Sequence, residues 1–481
     1  MNRNVSLYTV GQIVKLEGLL LVLPLIVSLC YAEYSLVRAF LLTIAVAIGL
    51  GFLLTIVFRK SRTPMYAKGG FITVALSWVV LSLVGALPFV ISGQIPSYID
   101  AVFETVSGFS TTGSSILPDP AVLGRGLLFW RSFTHWVGGM GIIVFMLAVT
   151  RPESGRAIHI LRAEVPGPIV GKLVPRLRDT AKILYLIYFA LTVAQVIFLL
   201  CGGMPLFDSL VHTFGTAGTG GFGIRSSSIG GYSPYLQWVI TIFMLLFGLN
   251  FNLFYLLLLR RIKSVFKSGE TWTYLGVVVV AITLITVNLL SQHPQLSEAL
   301  RLAAFQVSSI ITTTGYATAD FAAWPELSKT ILFLLMFIGG CAGSTAGGLK
   351  VSRILLLFKS IRRDYERMVH PHAVGVVHMD GKRVDDRTLG GVTVYFALYM
   401  MILAFVLLLL SFNGFDLVTN LSAAVACFNN VGPGFGEVGP TSSFAGYSDF
   451  SKIVLSFAML FGRLEIYPLL IALTPAAWTK K

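Results

Sequence analysis

Four short turns rich in glycine, threonine and serine recur along the chain. Their sequences are Thr111-Thr112-Gly113-Ser114-Ser115, Thr219-Gly220-Gly221-Phe222-Gly223, Thr313-Thr314-Gly315-Tyr316-Ala317 and Asn430-Val431-Gly432-Pro433-Gly434. Glycine reaches positive φ without strain, so a turn with a central glycine can direct successive carbonyl oxygens to one side. A ring of such oxygens from four strands can replace the hydration shell of a monovalent cation. The turns therefore predict a cation site built from backbone atoms.

Each turn follows a short apolar segment that is compatible with a helix but too short to cross a membrane. These segments are 98–109, 206–214, 296–310 and 415–428. An acid stands near the start of each: Asp100, Asp208, Glu298 and Asp416. These acids complement the positive end of a helix dipole, although ordinary helix caps explain them equally well. A single such turn is a common loop tip, but four in register, roughly 100 residues apart, indicate four copies of one unit.

The composition is that of a membrane protein. Of the 481 residues, 55% are hydrophobic and 12% are charged, whereas about a quarter are charged in soluble proteins. Apolar stretches long enough to cross a bilayer are predicted at 12–32, 37–58, 69–92, 127–149, 181–201, 234–259, 272–290, 328–358, 390–412 and 451–475. Most basic residues fall on one side of these spans, which places both termini in the cytoplasm. The net charge of +14 therefore reflects membrane topology and not nucleic-acid binding.

These features predict an all-α polytopic membrane protein. Four covalently linked units, each a span, a pore loop and a span, surround a pseudo-four-fold pore, and two further transmembrane helices precede them. The predicted boundaries are 1–65 for the N-terminal helix pair, 66–150, 151–267 and 268–360 for the first three units, and 361–481 for a cytoplasmic hairpin loop and the fourth. Within that last segment, Met379-Asp380-Gly381-Lys382 predicts a hairpin turn.

The predicted eighth span is interrupted by a glycine-rich stretch from Gly339 to Lys350. It contains Gly339, Gly340, Gly343, Ser344, Thr345, Gly347, Gly348 and Lys350. So many glycines should break the helix and place flexible backbone just below the turns. Gly339, Gly343 and Gly347 also have the spacing of a small-residue face for close helix packing, which is the open alternative.

Two basic residues stand out near the predicted pore. Arg463 lies near the middle of the tenth span, and an intramembrane charge usually faces a cavity and finds a partner. Its local candidates are Glu465 and helix carbonyls. Lys350 could act similarly, but an interfacial lysine is the simpler interpretation.

Several motifs together resemble one known family. They are Ser107-Gly108-Phe109-Ser110-Thr111-Thr112-Gly113, Trp136-Val137-Gly138-Gly139-Met140-Gly141, Gly218-Thr219-Gly220-Gly221-Phe222, Thr312-Thr313-Thr314-Gly315-Tyr316 and Asn429-Asn430-Val431-Gly432-Pro433-Gly434. With them, the whole chain resembles the Trk/Ktr/HKT superfamily of cation transporters. The two spans before the first unit resemble the extra N-terminal pair of the TrkH type.

The resemblance implies roles for individual residues. Gly113, Gly221, Gly315 and Gly432 would be the filter glycines, with the carbonyls of Thr111, Thr112, Thr219, Gly220, Thr313, Thr314, Asn430 and Val431 lining the site. Glycine at all four positions argues for potassium. The glycine-rich stretch would be an intramembrane loop that obstructs the pore, and Arg463 would lie beside the pore below the filter.

The resemblance also implies a function, namely potassium uptake through a gated pore, driven by the electrochemical gradient. K⁺ would be the transported ion, and neither an enzymatic activity nor a catalytic cofactor is implied. The expected setting is the lipid of the bacterial inner membrane, as a homodimer regulated by a cytosolic ring of TrkA-like nucleotide-binding subunits. The rival is a cation- or proton-coupled secondary transporter, because broken glycine-rich helices also build midplane substrate sites. Four repeated units favour the pore over the two halves usual in coupled carriers.

Overall fold

The computed structural model describes residues 3–58, 67–141, 177–372 and 375–478, and these are mainly helical. The first part of the chain contains α1 (Arg3–Leu20), α2 (Val22–Cys30), α3 (Tyr34–Val57), α4 (Ala67–Gly85), α5 (Leu87–Ile91), α6 (Tyr98–Phe109) and α7 (Arg125–Gly139). The middle contains α8 (Leu177–Cys201), α9 (Leu206–Gly218), α10 (Pro234–Phe247), α11 (Phe251–Leu258), α12 (Ile262–Phe266), α13 (Gly269–Leu289), α14 (Leu296–Ile311) and α15 (Glu326–Ile338). The last part contains α16 (Val351–Val369), β1 (His378–Met379), β2 (Lys382–Arg383), α17 (Asp386–Leu410), α18 (Leu417–Phe428), α19 (Asp449–Arg463) and α20 (Tyr467–Leu473).

Long apolar helices confirm a polytopic membrane protein. Among the described residues, six are long and apolar enough to span a bilayer: Asn4–Cys30, Tyr34–Val57, Lys68–Ile91, Ala181–Cys201, Gly269–Leu289 and Asp386–Asn413. The last four are the first helix of each unit, and they precede the four short helices α6, α9, α14 and α18. The second helix of each unit is shorter or interrupted.

Two of the predicted spans contain a break that the sequence interpretation did not predict. In 234–259, α10 and α11 meet at an angle of 90°, and Asn250 caps α11 by accepting a hydrogen bond from the Asn252 N–H. In 451–475, Glu465 and Ile466 adopt positive φ between α19 and α20, where Pro468 starts the second helix. The predicted break in 328–358 is confirmed, since residues 339–350 are not helical. For 127–149, α7 ends at Gly139, and 142–149 lies outside the described residues.

The four short helices agree closely with the predicted segments. Helix α6 matches 98–109, α14 extends one residue beyond 310, α9 extends beyond 214 to Gly218, and α18 begins at Leu417. Of the four acids, Asp416 is a true N-cap, because its carboxylate accepts hydrogen bonds from the N–H groups of Val418 and Thr419. A hydrogen bond from the Thr419 side chain also lowers the pKa of Asp416. The other three acids lie in the first turn of their helices.

The predicted hairpin is confirmed. Strands β1 and β2 pair antiparallel, with Met379 opposite Lys382. The two turn residues Asp380 and Gly381 have φ of 51° and 77°, as a two-residue hairpin turn requires. Asp380 also accepts a hydrogen bond of 2.7 Å from the Gly269 N–H, so the hairpin tip contacts the start of α13.

The N-terminal helices attach to the first unit through a helix cap supplied from a distant part of the chain. Helix α7 has no side-chain cap at its own N-cap residue, Gly124. The carboxylate of Glu33, just before α3, instead accepts hydrogen bonds from the N–H groups of Arg125 (2.7 Å) and Gly126 (2.9 Å). These two N–H groups have no partner within the helix.

This contact gives a stability prediction. Glu33→Ala removes the acceptor of two helix N–H groups, at a cost of about 1–2 kcal/mol, and should lower the midpoint of thermal unfolding by about 1–2 °C. Size-exclusion chromatography of detergent-solubilised protein after stepwise heating measures that midpoint. Glu326→Ala is the control, because this acid also lies in the first turn of a helix but its side chain is 87% exposed. Equal midpoints for the two variants would contradict the prediction.

Candidate functional site

The four predicted turns share one backbone conformation. Thr111, Thr219, Thr313 and Asn430 have φ of 56°, 55°, 56° and 57°. The glycines two residues later, Gly113, Gly221, Gly315 and Gly432, have φ of 84°, 75°, 82° and 103°. Positive φ is uncommon for residues other than glycine. Its occurrence at the same place in every turn establishes the four-fold repeat at the level of single residues.

Each turn is joined to the end of its short helix by the same hydrogen bonds. The N–H of the residue before each glycine bonds to the carbonyl five residues earlier: Thr112 to Ser107 (2.9 Å), Gly220 to Gly215, Thr314 to Ser309 and Val431 to Ala426 (each 2.8 Å). The N–H one residue earlier closes a tighter turn, as from Thr111 to Gly108. This pair of bonds is the Schellman motif. It uses the N–H groups of the turn and leaves the carbonyl groups free to point elsewhere.

The turns meet in a closed ring. A Cβ atom on Gly113 would overlap the carbonyl oxygen of Gly220 in the second turn. The same relation holds between Gly221 and Thr314, between Gly315 and Val431 and, at 2.8 Å, between Gly432 and Thr112. Each turn therefore contacts the next, and the fourth contacts the first. The structure brings all twelve predicted turn residues together at one place.

Side chains behind the ring also join neighbouring turns. Ser114 donates a hydrogen bond to the Gly432 carbonyl (2.9 Å). The Asn430 amide donates to the Thr112 hydroxyl (2.9 Å) and to the Met459 carbonyl (2.9 Å). In the part of the chain that the structure describes, no group of three or more His, Cys, Asp or Glu side chains could hold a metal ion.

A buried ion pair that the sequence interpretation missed ties the first turn to the second. Glu104 in α6 pairs with Arg131 in α7, and both side chains are at most 3% exposed. Glu104 accepts hydrogen bonds from the Ser115 hydroxyl, at the end of the first turn, and from the next N–H, that of Ile116. Arg131 donates to the Gly223 carbonyl at 3.0 Å. The signal in the sequence was an acid and a base within two largely apolar helices, each of which carries one further charged residue, Asp100 or Arg125.

The glycine-rich stretch is a loop that lies directly against the turns. Gly339, Gly343, Gly348 and Lys350 all have φ between 71° and 75°, so the alternative of a continuous helix with a small-residue packing face is wrong. The Gly347 N–H donates to the Thr313 hydroxyl at 2.6 Å. The loop follows α15 and returns to the turns at this contact.

The break between α10 and α11 is what holds the first half of this loop. The Cys341 N–H donates to the Gly248 carbonyl (2.9 Å), and the Phe251 N–H donates to the Gly343 carbonyl (3.1 Å). An unbroken helix would use both the Gly248 carbonyl and the Phe251 N–H internally. The unpredicted bend and the predicted loop therefore pair each other's free backbone N–H and C=O groups.

Arg463 joins the loop to the first unit. Its guanidinium donates to the Thr345 carbonyl (2.9 Å) and to the carbonyls of Gly138 (2.5 Å) and Gly139 (2.6 Å). Glu465 pairs with Arg353 at 2.5 Å. Arg463 lies at the end of α19 and not in mid-helix, because α19 ends there.

The second basic residue near the predicted pore, Lys350, is buried. It is 2% exposed, and its ammonium group donates to the Ala346 carbonyl within the loop. The interpretation of Lys350 as an interfacial lysine was therefore wrong. Its backbone has a φ of 71°, at the junction between the loop and α16.

Known proteins resemble this chain over its whole length. The family model described as TrkH, cation transport protein, matches residues 36–275 and 263–479. The Trk system potassium uptake protein TrkH of Salmonella typhimurium is 38% identical over 475 residues, covering 98% of each chain. TrkG, a Trk system potassium uptake protein of Escherichia coli, is 36% identical over 479 residues, covering 97% of each.

A solved structure agrees with the fold. The crystal structure of the potassium transporter TrkH from Vibrio parahaemolyticus superposes with a TM-score of 0.89 and 34% identity, covering 100% of both chains. The matching family transports cations, which confirms the prediction that the chain is not an enzyme. By its family model, its relatives and its fold, the chain belongs to the TrkH family of cation transport proteins.

Proposed function

We propose that this protein takes up potassium by selective conduction through the ring of turns, driven by the electrochemical gradient. The observation that carries the proposal is the closed ring of four turns with one backbone conformation. Relatives such as TrkH of Salmonella typhimurium are named potassium uptake proteins, which supports the choice of ion. Four short helices also direct their partially negative C-terminal ends at the ring, which favours a cation there.

The ring is the selectivity filter in this proposal. The residues assigned to it are Thr111, Thr112, Gly113, Thr219, Gly220, Gly221, Thr313, Thr314, Gly315, Asn430, Val431 and Gly432. Their carbonyl oxygens replace the hydration shell of K⁺. A polar vestibule lined by the four glycines opens on one side of the ring, which gives a hydrated ion a place to approach.

The glycine loop is the gate. The residues assigned to it are Gly339, Gly340, Gly343, Ser344, Thr345, Gly347, Gly348 and Lys350, together with Arg463. The support is its contact with Thr313 of the ring. Lys350 and Arg463 add positive charge at this level, which lowers cation occupancy while the loop is in place.

Regulation and assembly complete the proposal. The relatives are named as parts of a Trk system, which supports a regulatory partner, here a cytosolic ring of TrkA-like nucleotide-binding subunits. The hairpin tip at Asp380 contacts the start of α13 and offers a route from a cytosolic partner to the membrane helices. In this proposal the protein is a homodimer in the bacterial inner membrane, surrounded by lipid, with both termini in the cytoplasm.

The filter assignment predicts the effect of Gly113→Ser. At φ of 84° a side chain is strained, and its Cβ would overlap the Gly220 carbonyl, so the ring must deform. Potassium flux into liposomes containing the purified variant should fall about tenfold, as a deformation cost near 1.4 kcal/mol implies, and the preference for potassium over sodium should shrink.

Gly93→Ser is the matched control for this experiment. Gly93 has nearly the same φ, 74°, but no atom lies within 4 Å of a Cβ placed there. It therefore carries the backbone strain without the contact at the ring. Potassium flux in Gly113→Ser equal to that in Gly93→Ser would refute the pore and support a coupled carrier. Flux that requires a proton gradient across the liposome would do the same.

The gate assignment predicts the effect of Arg463→Gln. The shorter neutral amide cannot reach the carbonyls on both the loop and α7. The loop therefore loses its hydrogen-bonded link to α7, and the pore loses a positive charge that repels cations. Basal cation flux without any partner protein should rise about tenfold, the effect of a hydrogen bond from a charged group. Arg387→Gln, at an exposed site at the start of α17, serves as the control. Flux equal to that of the control would count against the gate.

A further inference from the structure

A buried acid outside the proposed filter and gate residues contacts both ends of the glycine loop. Glu270 lies in the first turn of α13 and is 5% exposed. A single oxygen of its carboxylate, Oε1, accepts a hydrogen bond of 2.6 Å from the Ala342 N–H. The same oxygen accepts a second bond, of 3.1 Å, from the Ser352 N–H. The two donors lie ten residues apart in sequence, one near the start of the loop and one just after its end.

Both donors need an acceptor that the local chain does not provide. Ser352 is the second residue of α16, and the first N–H groups of a helix have no partner within it. The residue at the N-cap position, Lys350, has φ of 71° and makes no side-chain cap. Glu270 therefore caps α16 from another helix. Hydrogen bonds to a carboxylate are strong, and more so where water is excluded.

The position of these two bonds determines where the loop lies. Between Ala342 and Ser352 the chain turns back and carries Gly347 against the third and fourth turns. A Cβ atom on Gly347 would overlap the Asn429 carbonyl, so this approach is as close as a backbone permits. Closing the loop at its base with one carboxylate limits how far Gly347 can move away from the turns.

We infer that Glu270 is the positioning residue that holds the glycine loop against the turns, through one carboxylate oxygen bonded to both ends of the loop. The expected effect on conduction rests on the proposed gate. The effect on loop position does not, and it can be measured without any flux.

The loop carries its own reporter, Cys341, which is fully buried and adjacent to Ala342. Release of the loop exposes this thiol to a water-soluble methanethiosulfonate reagent. We expect Glu270→Gln to raise the modification rate of Cys341 about tenfold, because the amide replaces one charged acceptor whose hydrogen bonds are worth at least 1.4 kcal/mol. Mass spectrometry of the Cys341 peptide, from the full-length protein in liposomes, reads out that site alone.

Two further variants keep the experiment decisive. Glu326→Gln removes a first-turn acid from an exposed position on α15 and should leave the Cys341 rate at the wild-type value. Glu270→Asp keeps the charge but shortens the side chain by one methylene, so it should retain only one of the two bonds and give an intermediate rate. It also replaces Glu270→Gln if that variant is not monodisperse in detergent.

Cation flux in the same liposomes, without a partner protein, separates the inference from the proposed function. A Cys341 rate and a basal flux that both rise in Glu270→Gln support the inference and the gate together. A wild-type Cys341 rate in a monodisperse Glu270→Gln protein overturns the inference, whatever the flux. A raised rate with unchanged flux, or with no flux in any variant, supports the role of Glu270 and overturns the proposed gate or the proposed pore, respectively.

Discussion

Lipid offers no hydrogen-bond partner to the backbone, so each break in a helix at membrane depth leaves N–H and C=O groups that the protein itself must satisfy. This chain contains such breaks at 248–250, 339–350 and 464–466. The first two satisfy each other, through the bonds from Cys341 to Gly248 and from Phe251 to Gly343. The broken helix of the second unit and the loop of the third unit therefore supply each other's hydrogen-bond partners.

The same constraint shapes the ring of turns. Each turn needs free carbonyl groups for a cation, yet it cannot leave N–H groups unpaired. The Schellman bonds resolve this by returning the N–H groups to the short helix, for example from Thr112 to Ser107. Side-chain contacts on the outside of the ring further restrict movement of the turns. They are the Glu104–Arg131 ion pair and the hydrogen bond from the Asn430 amide to the Thr112 hydroxyl. These contacts limit the movement of the turns in the proposed filter.

Local signals in the sequence predicted local structure well. The bounds of α6, the hairpin at Asp380 and the break after Ile338 each depend on residues close in sequence, such as a capping serine or a run of glycines. The missed features depend on distant partners. Glu33 caps a helix that begins at Arg125, and Glu270 caps one that begins at Val351. Gly248 alone did not predict a 90° bend, because the bend is stabilised by a loop about 90 residues further on.

The way the loop is held also suits it to regulation. Five hydrogen bonds described above, together with one from the Thr345 hydroxyl to the Phe247 carbonyl (3.3 Å), connect it to distant elements. At a net 0.5–1.5 kcal/mol for each of the four neutral bonds and 1.5–3 kcal/mol for each of the two with a charged partner, they sum to about 5–12 kcal/mol. Among the loop's residues, Cys341 and Leu349 pack in the apolar core, whereas the glycines contribute no side chain to that packing. Shifting a two-state equilibrium from 1:99 to 99:1 requires about 5.5 kcal/mol of differential binding. A loop held mainly by exchangeable hydrogen bonds therefore lies within the range that a single binding partner can reverse, whereas one held by packed aromatic side chains would not.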